Sequence, residues 1–494
     1  MTAGSLLTGC PDRTISKVVA SQGRVEYKDI PLTINRDLDL LFLIDDSPSM
    51  TDKQLNLATN FPNFVNVLQT IQGGLPDVHI GVATSDLGSS GANGTIGPSV
   101  GTAGQQGACV NNGKNGVLQL GGATGLVTGT YISDVANTTG GRTVNYTGTL
   151  PDTFGKMAKV GDFGCGFEQH IEGVKQALTD GRNPGFIRAD AYLAVVFIAD
   201  EDDCSLQDPT LLQANTTTLG PLQSFRCTDQ GITCDVGGTT VAQMREVGVK
   251  SQCHPNDDSQ YLTQVSPYVD FLKTVKGGDE TKIVMAAISG PTDMVATELR
   301  APSAGQQAIP ALAHSCTYQG SDGTEVADPA IRIKFLIDQF PNRNTFSTIC
   351  QQDLSGGLQE IADLLKTVIG DPCIDGQLED VDPNTDGPQY DCSVSDVTMQ
   401  GQPGQHETVI PACDDGHTVT PCWYFDTMTM SCPDPAHPEL VIDRGGTTPA
   451  PDTHLVAYCV TKTPECSDGI DNDGDGLIDY PSDPDCSSSD DDSE

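Results

Sequence analysis

The sequence has one tryptophan in 494 residues, no C-x-x-C pair, no H-E-x-x-H, and no stretch of some 18 apolar residues. Each absence excludes something. Without the apolar stretch, no helix is expected to span a membrane. Without C-x-x-C, zinc ribbons and thioredoxin-type redox sites drop out. Without H-E-x-x-H, the metalloprotease helix is missing. Basic residues are also scarce, with 26 Lys and Arg against 67 Asp and Glu, for a net charge of −41. A polyanion of this size repels nucleic-acid phosphates and anionic lipid surfaces. It suits solvated, cation-rich surroundings.

What the chain does have is cysteine, 17 in all, too many for a reducing cytosol unless they bind metal. The reading is a disulfide framework in an exported protein. The odd number draws attention to Cys10, which ends the lipobox-like Leu7-Thr8-Gly9-Cys10. Lipidation there would leave sixteen cysteines to pair. Only nine residues precede Cys10 and none is basic, so a full charged signal region is missing from this sequence.

Length suits about three domains. The acid is unevenly placed: residues 374–494 carry 27 Asp and Glu but only Arg444 and Lys462 as basic residues. That shift sets a boundary near Cys373. The expected organisation is an export segment and linker over 1–35, a main domain over 36–373, a Cys-rich β module over 374–465, and an Asp-rich motif with an acidic tail over 466–494.

In the main domain, 38–44 (LDLLFLI), 191–198 (AYLAVVFI) and 282–289 (KIVMAAIS) are apolar runs expected of strands buried on both faces. Helical spacing marks Leu55–Ile71, Phe167–Leu178 and Leu354–Val368, with Pro62 predicting a kink or a late start. The alternating 77–84 (DVHIGVAT) reads as an edge strand. Strands alternating with amphipathic helices predict an α/β fold with a doubly wound, mostly parallel sheet, plus the small stapled β module and acidic tail. Insertions interrupt it at 87–163, with a hairpin near 137–141, and at 204–258, which holds Cys204, Cys227, Cys234 and Cys253.

The first apolar run leads straight into Asp45-Asp46-Ser47-Pro48-Ser49, a D-x-S-x-S at a strand end and before a helix. The pattern recurs at Asp391/Ser393/Ser395 and Asp485/Ser487/Ser489, but with no buried strand before it. Alternate hydroxyls beside a carboxylate suit a hard dication such as Mg²⁺. The 191–198 run supplies a second carboxylate in Asp200, followed by Glu201, Asp202 and Asp203. LFLIDDSPSM followed by VVFIAD resembles the von Willebrand factor A family, in its Cys-rich bacterial exported or lipoprotein type. The resemblance covers about 36–372. It implies Rossmann-like architecture and a metal-ion-dependent adhesion site in which Asp45, Ser47, Ser49 and Asp200 hold Mg²⁺ or Mn²⁺, with a partner protein's Asp or Glu completing the coordination. The family's usual Thr falls at Cys165 or Gly166. Glu168, one turn on, is the substitute carboxylate offered, and Cys165 is expected in a disulfide, with Cys109 the suggested partner.

A second cation motif is Asp471-Asn-Asp473-Gly-Asp475-Gly-Leu-Ile-Asp479. Oxygens at positions 1, 3, 5 and 9 with Gly at 6 follow calcium-loop logic. Pro481 and Pro484 forbid the exiting helix of an EF-hand, and Asp483 is a further ligand candidate. The motif resembles the Asp-rich repeats of thrombospondin type 3, and a Cys466–Cys486 bridge would close it.

Gly97-Pro98-Ser99-Val100-Gly101 matches G-x-S-x-G but lacks the strand and helix a nucleophile elbow needs. The function expected is therefore non-enzymatic: an exported protein of the bacterial cell envelope that binds a protein partner through Mg²⁺ and carries Ca²⁺ in its tail loop. The alternatives are a calcium-stabilised structural surface protein and, from the Asp200–Asp203 cluster, a metallohydrolase.

Overall fold

The computed structural model describes residues 24–486, apart from 32–35, 72–73, 138, 304, 322, 371–372, 375, 383–387, 401–403, 415, 428–431, 433–436, 448, 450–452, 481 and 484. Cys10, the lipidation candidate, and the 487–494 tail lie outside the described residues. The chain divides into two compact units, Ile34–Ile369 and Gly370–Glu494 with Met1–Thr33.

The larger unit is organised on the strand Asp37–Ile44, whose residues from Leu38 onward are all buried. Successive side chains leave a strand on opposite faces. Leu38, Leu40, Phe42 and Ile44 therefore enter one core, with Leu57, Phe61 and Phe64 from helix Thr51–Gln69 and Leu358, Ile361 and Leu365 from helix Ser355–Gly370. Leu41 and Leu43 enter another, with Ile171 and Val174 from helix His170–Leu178 and with helices Ser266–Val275 and Ile331–Ile337. Each fully buried Leu or Phe contributes about 1.5–3 kcal/mol relative to exposure. The first helix runs through Pro62, which lies exposed.

In this sheet Asn344–Thr348, Ile283–Ser289, Tyr192–Ile198, Asp37–Ile44 and Asp77–Thr84 are parallel neighbours in that order. Ile132–Ala136 and Arg142–Val144 then add antiparallel strands, as the hairpin expected near 137–141. Asp77–Thr84 is consequently not an edge strand. Its polar positions misled the reading, because they are buried too: His79 Nδ1 lies 2.9 Å from the Phe186 carbonyl oxygen, and Gly81 makes room for Phe186 and Leu118.

The expectation of a doubly wound, mostly parallel sheet is corrected. The molecule is mixed α/β, and each of the other four sheets among the described residues is wholly antiparallel. Two of these lie in the larger unit: a four-stranded sheet, Ile309–Leu312, Val295–Arg300, Gly248–Pro255, Ile232–Val236, and the hairpin Cys316–Gln319/Thr324–Ala327. Within the 204–258 insertion Ile232–Val236 and Gly248–Pro255 pair antiparallel, and Val295–Arg300 joins them from outside it. Short strands joined by a short connection, as in Cys316–Gln319/Thr324–Ala327, can pair only antiparallel, since a parallel partner needs a crossover of a dozen residues or more.

The smaller unit pairs Arg24–Pro31, His454–Thr461, Cys392–Thr398 and His406–Ile410 in one antiparallel sheet, and Cys422–Asp426 with Glu439–Asp443 in another. Residues 24–31, assigned to a linker from sequence, are thus a strand of this module. Its core is small, built around Val394, Trp423, Leu440 and Leu455. Disulfides Cys373–Cys432, Cys392–Cys459 and Cys413–Cys422 reinforce it. In the larger unit the bridges are Cys109–Cys165, Cys204–Cys227, Cys234–Cys253 and Cys316–Cys350. With Cys466–Cys486, every described cysteine is paired. Eight bridges place the protein in an oxidising, extracellular setting. No helix among the described residues is long and apolar enough to cross a membrane.

Candidate metal centre

Strand Asp37–Ile44 delivers Asp45 to the carboxyl edge of the sheet, where the Asp45 backbone N–H donates to the Ile198 carbonyl at 2.9 Å. The Asp45 carboxylate then organises its own loop. Its Oδ1 accepts from the Ser47 backbone N–H at 2.7 Å and from the Ser85 hydroxyl at 3.2 Å. The hydroxyls of Ser47 and Ser49 lie 3.0 Å apart, and Ser49 Oγ donates to Asp200 Oδ1 at 3.1 Å. Asp45, Ser47 and Asp200 are buried, while Ser49 is exposed and opens the group to solvent. Residues 151 positions apart in the chain thus meet because the strands Asp37–Ile44 and Tyr192–Ile198 are neighbours.

The surroundings are acidic and largely buried. Burial pushes the Asp200 carboxyl up to about 6, against the opposing charge of Lys53. Burial pushes Glu201 up to about 8, despite its hydrogen bond with Glu168. Glu168 is also raised by burial, and by the nearby Glu201 and Asp45. Asp46 is held at about 7, chiefly by burial, with Lys114 pulling the other way. His170 lies wholly buried with its Nε2 3.6 Å from Asp45 Oδ2, too far for a hydrogen bond. Burial alone would lower its pKa, but the charge of Asp45 raises it overall.

Residues 165 and 166 offer no hydroxyl. Cys165 is bonded to Cys109, and Gly166 follows. Glu168, the substitute ligand, is buried and engaged with Glu201. Sequence reasoning missed Ser85, His170 and Lys53. Lys53 had a signal: it stands four residues after Ser49 and at the start of a helix, on the turn above the site.

A hard dication fits this donor set of carboxylate and hydroxyl oxygens. Asp45 Oδ2 is buried and makes no hydrogen bond, so it retains acceptor capacity. Of the other two D-x-S-x-S copies, the one at Asp391 runs into the strand Cys392–Thr398, and Ser487 and Ser489 of the last lie outside the described residues.

The 466–486 loop is built differently. Asp471 accepts from the N–H groups of Gly474 and Gly476 at 2.8 and 3.1 Å, and Asp473 from that of Asp475 at 2.9 Å. Gly474 and Gly476 have φ of 81° and 96°, a region that favours glycine. Ligand oxygens of Asp471, Asp473 and Asp475 lie within 4.8 Å of one another, as do those of Asp475, Asp483 and Asp485. Asp479 is in neither group: its carboxylate accepts from the Gly469 N–H at 3.0 and 3.1 Å. Asp485 replaces it among the clustered acids. A third group, Cys413, His417 and Cys422, offers no thiolate because its cysteines are bonded together.

No protein-family model matches the sequence, and no curated protein matches it. Among solved structures, the chain matches the pilus adhesin RrgA of Streptococcus pneumoniae at 10% identity and a TM-score of 0.20, over 89% of this chain and 58% of the adhesin. The aligned part is thus less than two thirds of that protein's length, and a likeness this distant carries no argument about the site.

Proposed function

We propose that this exported protein binds a protein partner through a divalent cation held by Asp45, Ser47, Ser49 and Asp200, with Mg²⁺ or Mn²⁺ as the ion. The observation that carries the reading is the hydrogen-bonded chain Ser47–Ser49–Asp200 beside Asp45, buried except at Ser49. The resemblance of LFLIDDSPSM and VVFIAD to the von Willebrand factor A family supports the same reading. When bound, the ion supplies an open coordination position that an Asp or Glu of the partner fills. The chain's own residues do the rest. Asp45 fixes the loop through the Ser47 N–H, Ser49 marks the solvent-facing entrance, and the buried acids disfavour any state without a neutralising cation. Glu168 stands as a reserve carboxylate behind Asp45. In the tail loop, Asp471, Asp473 and Asp475, with Asp483 and Asp485, are the proposed Ca²⁺ holders; Asp479 braces the turn at Gly469.

The binding reading is preferred to catalysis on the resemblance of LFLIDDSPSM and VVFIAD to a family of binding domains. Gly97–Gly101, the G-x-S-x-G match, lies in a loop with no helix after it. The test is affinity capture from the native surroundings with Mg²⁺ and with a chelator. A partner retained only with Mg²⁺, and lost in Asp45→Ala, supports the proposal. A partner retained equally in both conditions points to the structural alternative.

A further inference from the structure

The proposed cation site already contains a positive charge. Lys53 Nζ lies 3.1 Å from Asp200 Oδ2, 2.6 Å from Glu325 Oε2 and 3.1 Å from the Ser49 carbonyl oxygen. The side chains of Lys53 and Asp200 are 1% and 2% exposed, so water screens this pair little. We propose that Lys53 is a tethered counter-ion that sets the cation affinity of the site. It holds Asp200 in position while no dication is bound, and it competes with the dication for the same carboxylate. This rests on the reading of Asp45, Ser47, Ser49 and Asp200 as the cation's holders.

Charge and donor count decide the effect. An ammonium has three N–H donors. The Ser49 carbonyl, Glu325 and Asp200 take all three. The oxygens of Asp200 are divided between Lys53 at Oδ2 and the Ser49 hydroxyl at Oδ1. A dication reaching the serine hydroxyls must therefore use a carboxylate whose charge is already partly neutralised, and must do so beside a like charge that is itself buried. Both effects weaken binding.

Glu325 acts in the opposite sense, because it neutralises Lys53 from the other side. It belongs to the hairpin Cys316–Gln319/Thr324–Ala327, which is fastened to the start of the Thr51–Gln69 helix. Tyr318 Oη donates to Asp52 Oδ2 at 2.8 Å, and the Ser321 N–H donates to Asp52 Oδ1 at 3.0 Å. Cys316–Cys350 anchors the hairpin's base. The affinity of the site is thus set in part by a hairpin remote in sequence from any of the proposed ligands.

The test is calorimetric titration of Mn²⁺ into the full chain carrying Asp473→Ala and Asp475→Ala, so that the tail loop does not contribute. In that background Lys53→Gln should tighten binding by roughly tenfold or more, and Glu325→Gln should weaken it several-fold. A structural role alone would not move affinity in opposite directions. Glu325 is the more exposed partner, so Glu325→Gln reports even where Lys53→Gln folds poorly. Unchanged affinities, or shifts in the same direction, overturn the proposal. Asp45→Ala separates the two claims: if it leaves Mn²⁺ binding intact, the site assignment fails. If it abolishes binding while the Lys53 and Glu325 variants are neutral, only the counter-ion role fails. Mn²⁺ binding that appears only in Lys53→Gln supports it outright, and none in any variant overturns both.

Discussion

The two acidic groups proposed to hold cations contrast in almost every physical respect. The Asp45 group is assembled from strand ends distant in sequence, is buried, and has a lysine within it. The Asp471 group is one short segment, exposed at Asp473, Asp475 and Asp485 but buried at Asp483, bonded to its own backbone N–H groups and closed by Cys466–Cys486. In the first, Lys53 partly neutralises Asp200 while Asp45 keeps its charge. The second has no Lys, Arg or His within residues 466–486, and its carboxylates are met by backbone N–H groups. Burial and partial prior neutralisation should make cation binding costly at the first group. Exposure should make it cheaper and of modest affinity at the second.

The largest expected difference follows from burial. Asp200→Ala leaves Lys53 without one buried partner and should cost about 3–5 kcal/mol in metal-free protein, toward the lower end because Glu325 remains. Asp473→Ala with Asp475→Ala, on an exposed loop, should stay within about 0.5 kcal/mol under the same conditions. Urea unfolding in a chelator measures both, and equal costs would break the contrast.

Next comes the response to ions. At about 100 times its dissociation constant, Mg²⁺ should stabilise the wild type by about 2.7 kcal/mol. Thermal unfolding should show this gain lost in Asp45→Ala and kept in Asp391→Ala. The tail loop should behave independently, with Ca²⁺ affinity of roughly 10⁻⁴–10⁻³ M, typical of extracellular modules. Cys466→Ser with Cys486→Ser should weaken it, since an open loop loses more chain entropy on ordering. Calorimetry on the full chain should find Mg²⁺ binding at the Asp45 group unaffected by that change.

The smallest effect concerns pH, away from either group. Burial raises the Asp229 carboxyl to about 6, although Arg245 is paired with it. The folded state therefore binds a proton more readily than the unfolded chain, whose carboxyl titrates near 4. Its contribution is present below about pH 4 and is lost as pH rises toward 6. Asp229→Asn should flatten that part of the stability–pH curve, even while lowering stability overall through the lost Arg245 pair.

What was legible in the sequence follows the same division. LDLLFLI and AYLAVVFI declared themselves because strands buried on both faces must be continuously apolar. The cluster of Asp471, Asp473 and Asp475 was legible because its oxygens and glycines are local, whereas Asp479 falls outside it. Three features were hidden. Asp77–Thr84 looked half-polar because His79 and Gly81 are buried for reasons of pairing and space. Residues 24–31 find their partner strand more than 400 positions away, at His454–Thr461. Glu325 reaches Lys53 across 272 residues. No spacing rule reaches across such separations. The antiparallel sheets were hidden as well, among them the pair Ile232–Val236/Gly248–Pro255, bridged by Cys234–Cys253, a pairing that cysteine spacing does not specify.

The central claim is that Asp45, Ser47, Ser49 and Asp200 hold one dication. Anomalous diffraction from crystals of the full chain grown with Mn²⁺ tests it most directly. The account predicts a peak bounded by those four side chains, with Lys53 displaced from or sharing Asp200. A strong peak in the 466–486 loop with none beside Asp45, and Lys53 still seated on Asp200 at saturating Mn²⁺, would contradict it.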